Sequence, residues 1–241
     1  MSVAPTFPPL FSGLDSGAVD PFRHAAQQAA LGCDSGLVCY RITADTLAAA
    51  VVFAPEVPLE QACAMWIAAG VGFSNALGAL APPEVGVHLE WAGPIRVNGA
   101  RCGRLRIAAS DSDPAAVPDW LVVGLELPLI PEDIDAPGVT PDETSLFAEG
   151  CADVDPVRLL ESWTRHMLVW INRWSEEGGQ PLHAEWRSMA HGLGEEAEPA
   201  LDGAALKGTF LGVDENFGML LRVGSETTLI PLTTLLEDPA P

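Results

Sequence analysis

Glu90-Trp91-Ala92-Gly93-Pro94-Ile95-Arg96-Val97-Asn98-Gly99-Ala100-Arg101-Cys102-Gly103-Arg104-Leu105 is the clearest fold signal in the chain. Asn-Gly is the preferred pair for a two-residue type I′ turn, because both central residues need positive φ. The stretches on either side, 95–97 and 100–108, therefore read as the two strands of a hairpin. In such a loop Val97 faces Ala100 and Arg96 faces Arg101. Like charges opposed across a ladder are unfavourable. Arg104 and Arg106 follow on the same strand, so four of the chain's twelve cations fall within eleven residues. Strict alternation places Arg104 and Arg106 on one face and Arg101 with Leu105 on the other. The cluster needs either a bound anion or nearby acids such as Glu90 and Glu126. In so acidic a protein, pairing with its own carboxylates is the favoured reading of the hairpin taken alone.

Outward from the hairpin, 120–129 is an apolar run broken by Gly124 and Glu126, as expected of a central strand. Strand character recurs at 8–11, 37–40, 47–54 and 85–91. Asp20-Pro21 predicts a helix start, with the helix running over 22–31 to Gly32. Pro58 opens an expected long helix over 59–80, where Gly70, Gly72 and Gly78 suggest close packing. Asp155-Pro156 caps another, with Leu160, Trp163, Met167, Trp170 and Trp174 at helical spacing up to Gly178-Gly179, and 181–189 follows as a second short helix. The stretch 130–155 is a loop dense in Pro and acid, and 192–199 reads as a charged linker. The remaining short strand patterns, from Ala200-Leu201 and Asp202-Gly203 onward, suggest a small β-barrel. The expected division is a first domain over 1–191 and a small one over 192–241.

Composition narrows the function. Apolar residues make up 48% of the 241 and charged residues 19%, enough for a buried core and against disorder. Net charge is −21, so nucleic acid and anionic membrane surfaces are excluded as expected partners. Residues 1–110 hold six Arg and eight Asp/Glu, and the rest of the chain holds the other 25 acids, so an anion site belongs in the first half. Lys207 is the only lysine. Five cysteines without a C-x-x-C pair, and an N-terminus without a basic region and apolar run, point to a reducing cytoplasmic setting. His166, His183 and His191 are too widely spaced for a single-helix zinc motif, and no metal site is expected.

The segment 90–105 resembles the core of the biotin/lipoate protein ligase catalytic family, whose pattern reads K-W-P-N-D-h-x-V-N-G-x-K-x-x-G-h-h, with h hydrophobic. Val122-Val123-Gly124-Leu125-Glu126-Leu127 is similar to that family's V-I-G-x-G-I-N strand, and Leu14-Asp15-Ser16 to its D-S-T-N entry. Residues 174–186 resemble the closing helical stretch. Lys207-Gly208-Thr209-Phe210-Leu211-Gly212-Val213-Asp214 through Leu221 resembles its C-terminal barrel. The resemblance implies an α+β fold: a mixed sheet related to class II aminoacyl-tRNA synthetases, with helices, plus a small SH3-like β-barrel. It also implies activation of biotin or lipoate by ATP to an acyl-adenylate and transfer to a carrier-protein lysine.

Departures fall where that chemistry sits. The family lysine is Arg101, which keeps charge but not shape. The glycine of K-x-x-G is Arg104, and Asn-Asp of W-P-N-D is Gly93-Pro94. The second glycine of V-I-G-x-G is Glu126, and its Asn is Pro128. The Gly/Arg-rich loop that would cover substrate and phosphates has no counterpart between Tyr40 and Phe53. The expectation is therefore a divergent member without standard adenylation and without a required cofactor. Its small carboxylate or acyl ligand would be held by Arg101 and Arg104 with Arg96 nearby, close to Gly103 and Gly124 and walled by Trp91. Two alternatives remain open: an ATP-independent acyl transferase using Cys102, and a non-catalytic regulatory or scaffold protein.

Overall fold

Asp20 and Pro21 start the first helix as the sequence predicts. In the computed structural model, which describes residues 4–131, 142–199 and 206–238, α1 (Pro21–Ala30) carries Pro in its first turn, and Asp20 accepts the Phe22 N–H at 3.4 Å. Its buried stripe of Phe22, Ala25, Ala26 and Ala29 packs with Cys39, Ala50, Val52, Ala108 and Val122 on one face of a mixed sheet.

That sheet has seven strands: β1 (Ser12–Asp15), β2 (Leu37–Ile42), β3 (Thr46–Phe53), β4 (Val87–Leu89), β5 (Pro94–Val97), β6 (Ala100–Ala109) and β7 (Leu121–Pro128). Their spatial order is β1-β2-β3-β7-β6-β5-β4. β1 pairs β2 in parallel, and the other neighbours are antiparallel. The apolar run expected as a central strand is β7, buried between β3 and β6. The opposite face carries α2 (Leu59–Ala62), α3 (Ala64–Gly78), α4 (Pro156–Glu177) and α5 (Gln180–Met189) over the main core. Asp155 caps α4 through the Val157 N–H at 2.8 Å, and Trp163 donates to the Ala69 carbonyl of α3 at 2.9 Å. α3 and α4 approach so closely that a Cβ on Gly72 would lie 2.8 Å from the Met167 backbone nitrogen.

Several expectations are corrected. The strand expected at 8–11 begins at Ser12 instead, because Phe11 N–H closes a turn onto the Pro8 carbonyl at 3.1 Å. The helix expected over 59–80 is two helices meeting at Cys63. Gly78 faces open space, so the packing role falls to Gly70 and Gly72. The stretch 192–199 is more than a linker: β8 (Glu196–Ala197) pairs with β9 (Gly208–Val213). With β10 (Met219–Val223) and β11 (Glu226–Ile230) these form a four-stranded antiparallel sheet, ordered β11-β10-β9-β8 and followed by a 3₁₀ helix (Leu232–Leu235). The strand patterns expected at 200–205 lie outside the described residues. Phe210, Phe217, Leu221 and Ile230 join the same buried cluster as Trp91 and Trp163, so the small sheet packs onto the larger body. Among the described residues no helix is long and apolar enough to cross a membrane.

Candidate functional site

The hairpin forms with the predicted register, Val97 opposite Ala100 and Arg96 opposite Arg101. Further along, Pro94 pairs with Arg104, so three residues of β5 span four of β6. The extra residue is absorbed by a bulge at Gly103, whose φ is +97°. The bulge reverses the alternation. Cys102, Leu105 and Ile107 turn into the α3/α4 core, while Arg101 and Arg104 are exposed and Arg106 is half-buried. This corrects the strict alternation of the sequence reading: Arg96, Arg101, Arg104 and Arg106 share the face that carries α1.

Each of these arginines meets a carboxylate of the chain itself. Glu90 Oε1 lies 2.6 Å from Arg96 Nε and 2.8 Å from Arg101 Nε, and Glu90 Oε2 accepts from Arg101 Nη2 at 2.9 Å. One shared anion thereby removes the repulsion between the facing arginines. Arg104 pairs at 3.0 Å with Glu126, its direct cross-strand partner. Both are about half exposed, so this pair contributes little to stability.

Glu90 is better placed. Burial by itself would raise its carboxyl, but the Arg101 hydrogen bonds and the charges of Arg96 and Arg101 hold it below its usual range. A depressed folded-state pKa stabilises the protein above the unfolded value, and that contribution is lost as pH falls through the folded one. Glu90→Gln is expected to cost about 2 kcal/mol at neutral pH. Its gap to the wild type should close on acidification through the folded-state pKa. Urea unfolding at a series of pH values reads this, and a gap independent of pH would show that the arginine pairing is not its source.

Arg106 anchors the centre. It sits opposite Gly124 on β7, its guanidinium lies 4.1 Å from the centroid of Phe22, and it binds Asp20 at 3.1 Å and Glu237 at 2.7 Å. Phe22 covers Gly124 so tightly that a Cβ there would come within 2.6 Å of the ring. The crevice left among Asp20, Phe22, Ala48, Arg106, Gly124 and Glu126 holds about 10 Å³, room for a single water. A small-molecule site needs ~300 Å³ or more.

The structure thus brings Arg96, Arg101, Arg104 and Gly124 to one face, and it separates the other expected residues from them. Gly103 has its close approach, but to the Glu126 carbonyl, 2.3 Å from where a Cβ would stand. Trp91 is buried in the α3/α4 core and donates to the Phe217 carbonyl at 2.8 Å, joining the hairpin to the small sheet. Cys102 is fully buried, and burial first, then Glu149 and Cys151, pushes its thiol up to about 12. Phe22, Asp20 and Glu237 were missed as parts of this face. The Asp20-Pro21 helix start was legible, but nothing local in sequence reports that α1 lays Phe22 on Gly124.

Comparison with known proteins agrees with this frame. The sequence pattern of the biotin/lipoate A/B protein ligase family matches residues 7–188, and that of a domain of unknown function matches residues 193–238. The biotin–[acetyl-CoA-carboxylase] ligase of Paracoccus denitrificans is 24% identical over 189 residues, 78% of each chain. The crystal structure of a biotin protein ligase-like protein from a Silicibacter species shares 61% identity with a TM-score of 0.91, covering 98% of this chain and 100% of that one. The apo biotin protein ligase of Aquifex aeolicus superposes with a TM-score of 0.75 at 17% identity, over 93% and 97% of the two chains. With the hairpin, the glycine-bearing central strand and helices α1 to α4 inside the matched region, the chain belongs to the biotin/lipoate A/B protein ligase family.

Proposed function

We propose that this protein is a family member without ATP-dependent adenylation, which holds a small carboxylate or acyl ligand on the arginine face instead. The observation that carries the proposal is the mutual neutralisation of that face. Two positions where the family pattern has glycine, Arg104 and Glu126, are cross-strand partners joined in an ion pair. Phe22 fills the space over the remaining glycine, Gly124. β2 and β3 are joined by a tight turn, Thr43 N–H to the Thr46 carbonyl at 2.9 Å, where the family carries its cationic loop. A nucleoside triphosphate would have to displace several of these carboxylates at once, with no cationic loop to cover its phosphates, so the residues present do not fit ATP.

A carboxylate fits better: the crevice itself admits only a water, but a carboxyl group could replace one of the chain's own acids on the same guanidinium and leave its tail outside. The α+β body over 1–191 would supply that seat, and the unit over 192–241, read as a small SH3-like barrel, would brace it through Trp91 and Phe217. A carrier protein bearing the acyl group is the partner this chemistry would use. Burial and a thiol pKa of about 12 weigh against attack by Cys102. Incubation with ATP, magnesium and biotin, lipoate or octanoate should release no pyrophosphate above background, while octanoate alone should bind and lose affinity in Arg106→Gln. Steady pyrophosphate release would overturn the proposal.

A further inference from the structure

Arg106 has two hydrogen-bonding edges, and acids of the chain take both. Asp20 Oδ2 accepts from Nη1 at 3.1 Å, while Asp20 Oδ1 caps α1. The other edge receives Glu237 side-on: Nε lies 2.9 Å and 3.2 Å from the two oxygens, and Nη2 lies 2.7 Å from Oε2. Nε and Nη2 form the side-on edge by which arginine takes a carboxylate, and here both donors converge on Oε2. Asp20 by itself balances the guanidinium charge. Glu237 therefore adds a surplus negative charge at this point of a chain whose net charge is already −21.

The placement of Glu237 suits an occupant that can leave. Its side chain is 37% exposed, against 15% for Arg106, so solvent reaches the carboxylate while the guanidinium stays shielded. The Glu237 N–H donates to the Ile107 carbonyl at 2.8 Å, on the part of β6 beyond its last β5 partner, Arg104. The segment thus lies along an edge of β6 that β5 leaves open. Exchanging one carboxylate for another on the same fork conserves its hydrogen bonds, so the cost of exchange is release of this segment.

We infer that Glu237 is a tethered competitor: the segment after the 3₁₀ helix keeps its carboxylate in the seat on Arg106 that a free carboxylate ligand would occupy, and its release controls access. The inference rests on the carboxylate-binding reading above and adds its regulation. A group tethered this way acts at an effective concentration on the order of millimolar. A ligand's apparent affinity falls by the fraction of time the seat is open, so a seat open about a tenth of the time weakens binding about ten-fold.

Octanoate titrated calorimetrically into the full chain, into Glu237→Gln and into a chain ending at Leu236 tests this. Both altered proteins should bind octanoate about ten-fold more tightly than the full chain. Arg106→Gln added to Glu237→Gln should abolish the gain. A merely structural clip would lower the melting temperature and leave the octanoate affinity unchanged. Equal affinity in all three proteins would therefore overturn the competitor while leaving carboxylate binding intact. Absence of binding in all three would overturn both. Glu237→Gln keeps the side chain's shape, so it carries the test if the shortened chain fails to fold.

Discussion

Gly103→Ala is expected to destabilise the protein by about 3 kcal/mol or more, a large effect for one methyl group. Two costs add at this position. The backbone sits at φ +97°, where a Cβ collides with the local chain. The new Cβ would also stand 2.3 Å from the Glu126 carbonyl oxygen, a backbone atom of the central strand that cannot swing aside. Gly99→Ala separates the two costs. Its φ is also +97°, but nothing lies within 4 Å of its Cβ, so it should lose about 1 kcal/mol. Urea unfolding of the pair measures the difference. Equal losses would mean that the bulge is not wedged against β7 as described. Because the bulge turns Arg101 toward the face of Arg104 and Arg106, Gly103→Ala should also weaken the Glu90 pairing.

Phe22→Ala should cost about 3–5 kcal/mol, the usual range for removing a buried phenylalanine. The ring is 2% exposed, covers Gly124 and carries the Arg106 guanidinium on its face. Its removal reopens space over the glycine in the middle of the sheet. Octanoate should therefore raise the melting temperature of the variant more than that of the wild type, since a ligand adds stability in proportion to its binding. A loss below about 1 kcal/mol, or no octanoate response in a folded variant, would show that Phe22 does not fill a ligand-sized space.

Much of this architecture was legible locally. Asn98-Gly99 set the hairpin register, Asp20-Pro21 and Asp155-Pro156 set two helix starts, and the apolar run around Gly124 marked the central strand. Each is a short-range rule in which the residues that decide are neighbours. The bulge was not legible, because an isolated Gly103 in a strand signals either a bulge or a close contact, and here it is both. The neutralised face was legible in part: Glu90 and Glu126 were the acids expected to relieve the arginines, and both do. The partners of Arg106 were not, because Glu237 is 131 residues away and its arrival depends on the course of the chain after β11. Read singly, Arg104 and Glu126 are two losses from the family pattern. Read in register, they are one ion pair across β6 and β7.

Titration of the full chain with a biotinyl-adenylate puts the closed arginine face to its most direct test. No saturable heat is expected up to about 1 mM, binding weaker than roughly −4 kcal/mol. Saturable binding in the micromolar range, abolished by Arg101→Gln or Arg104→Gln, would show that these arginines still grip a nucleotide.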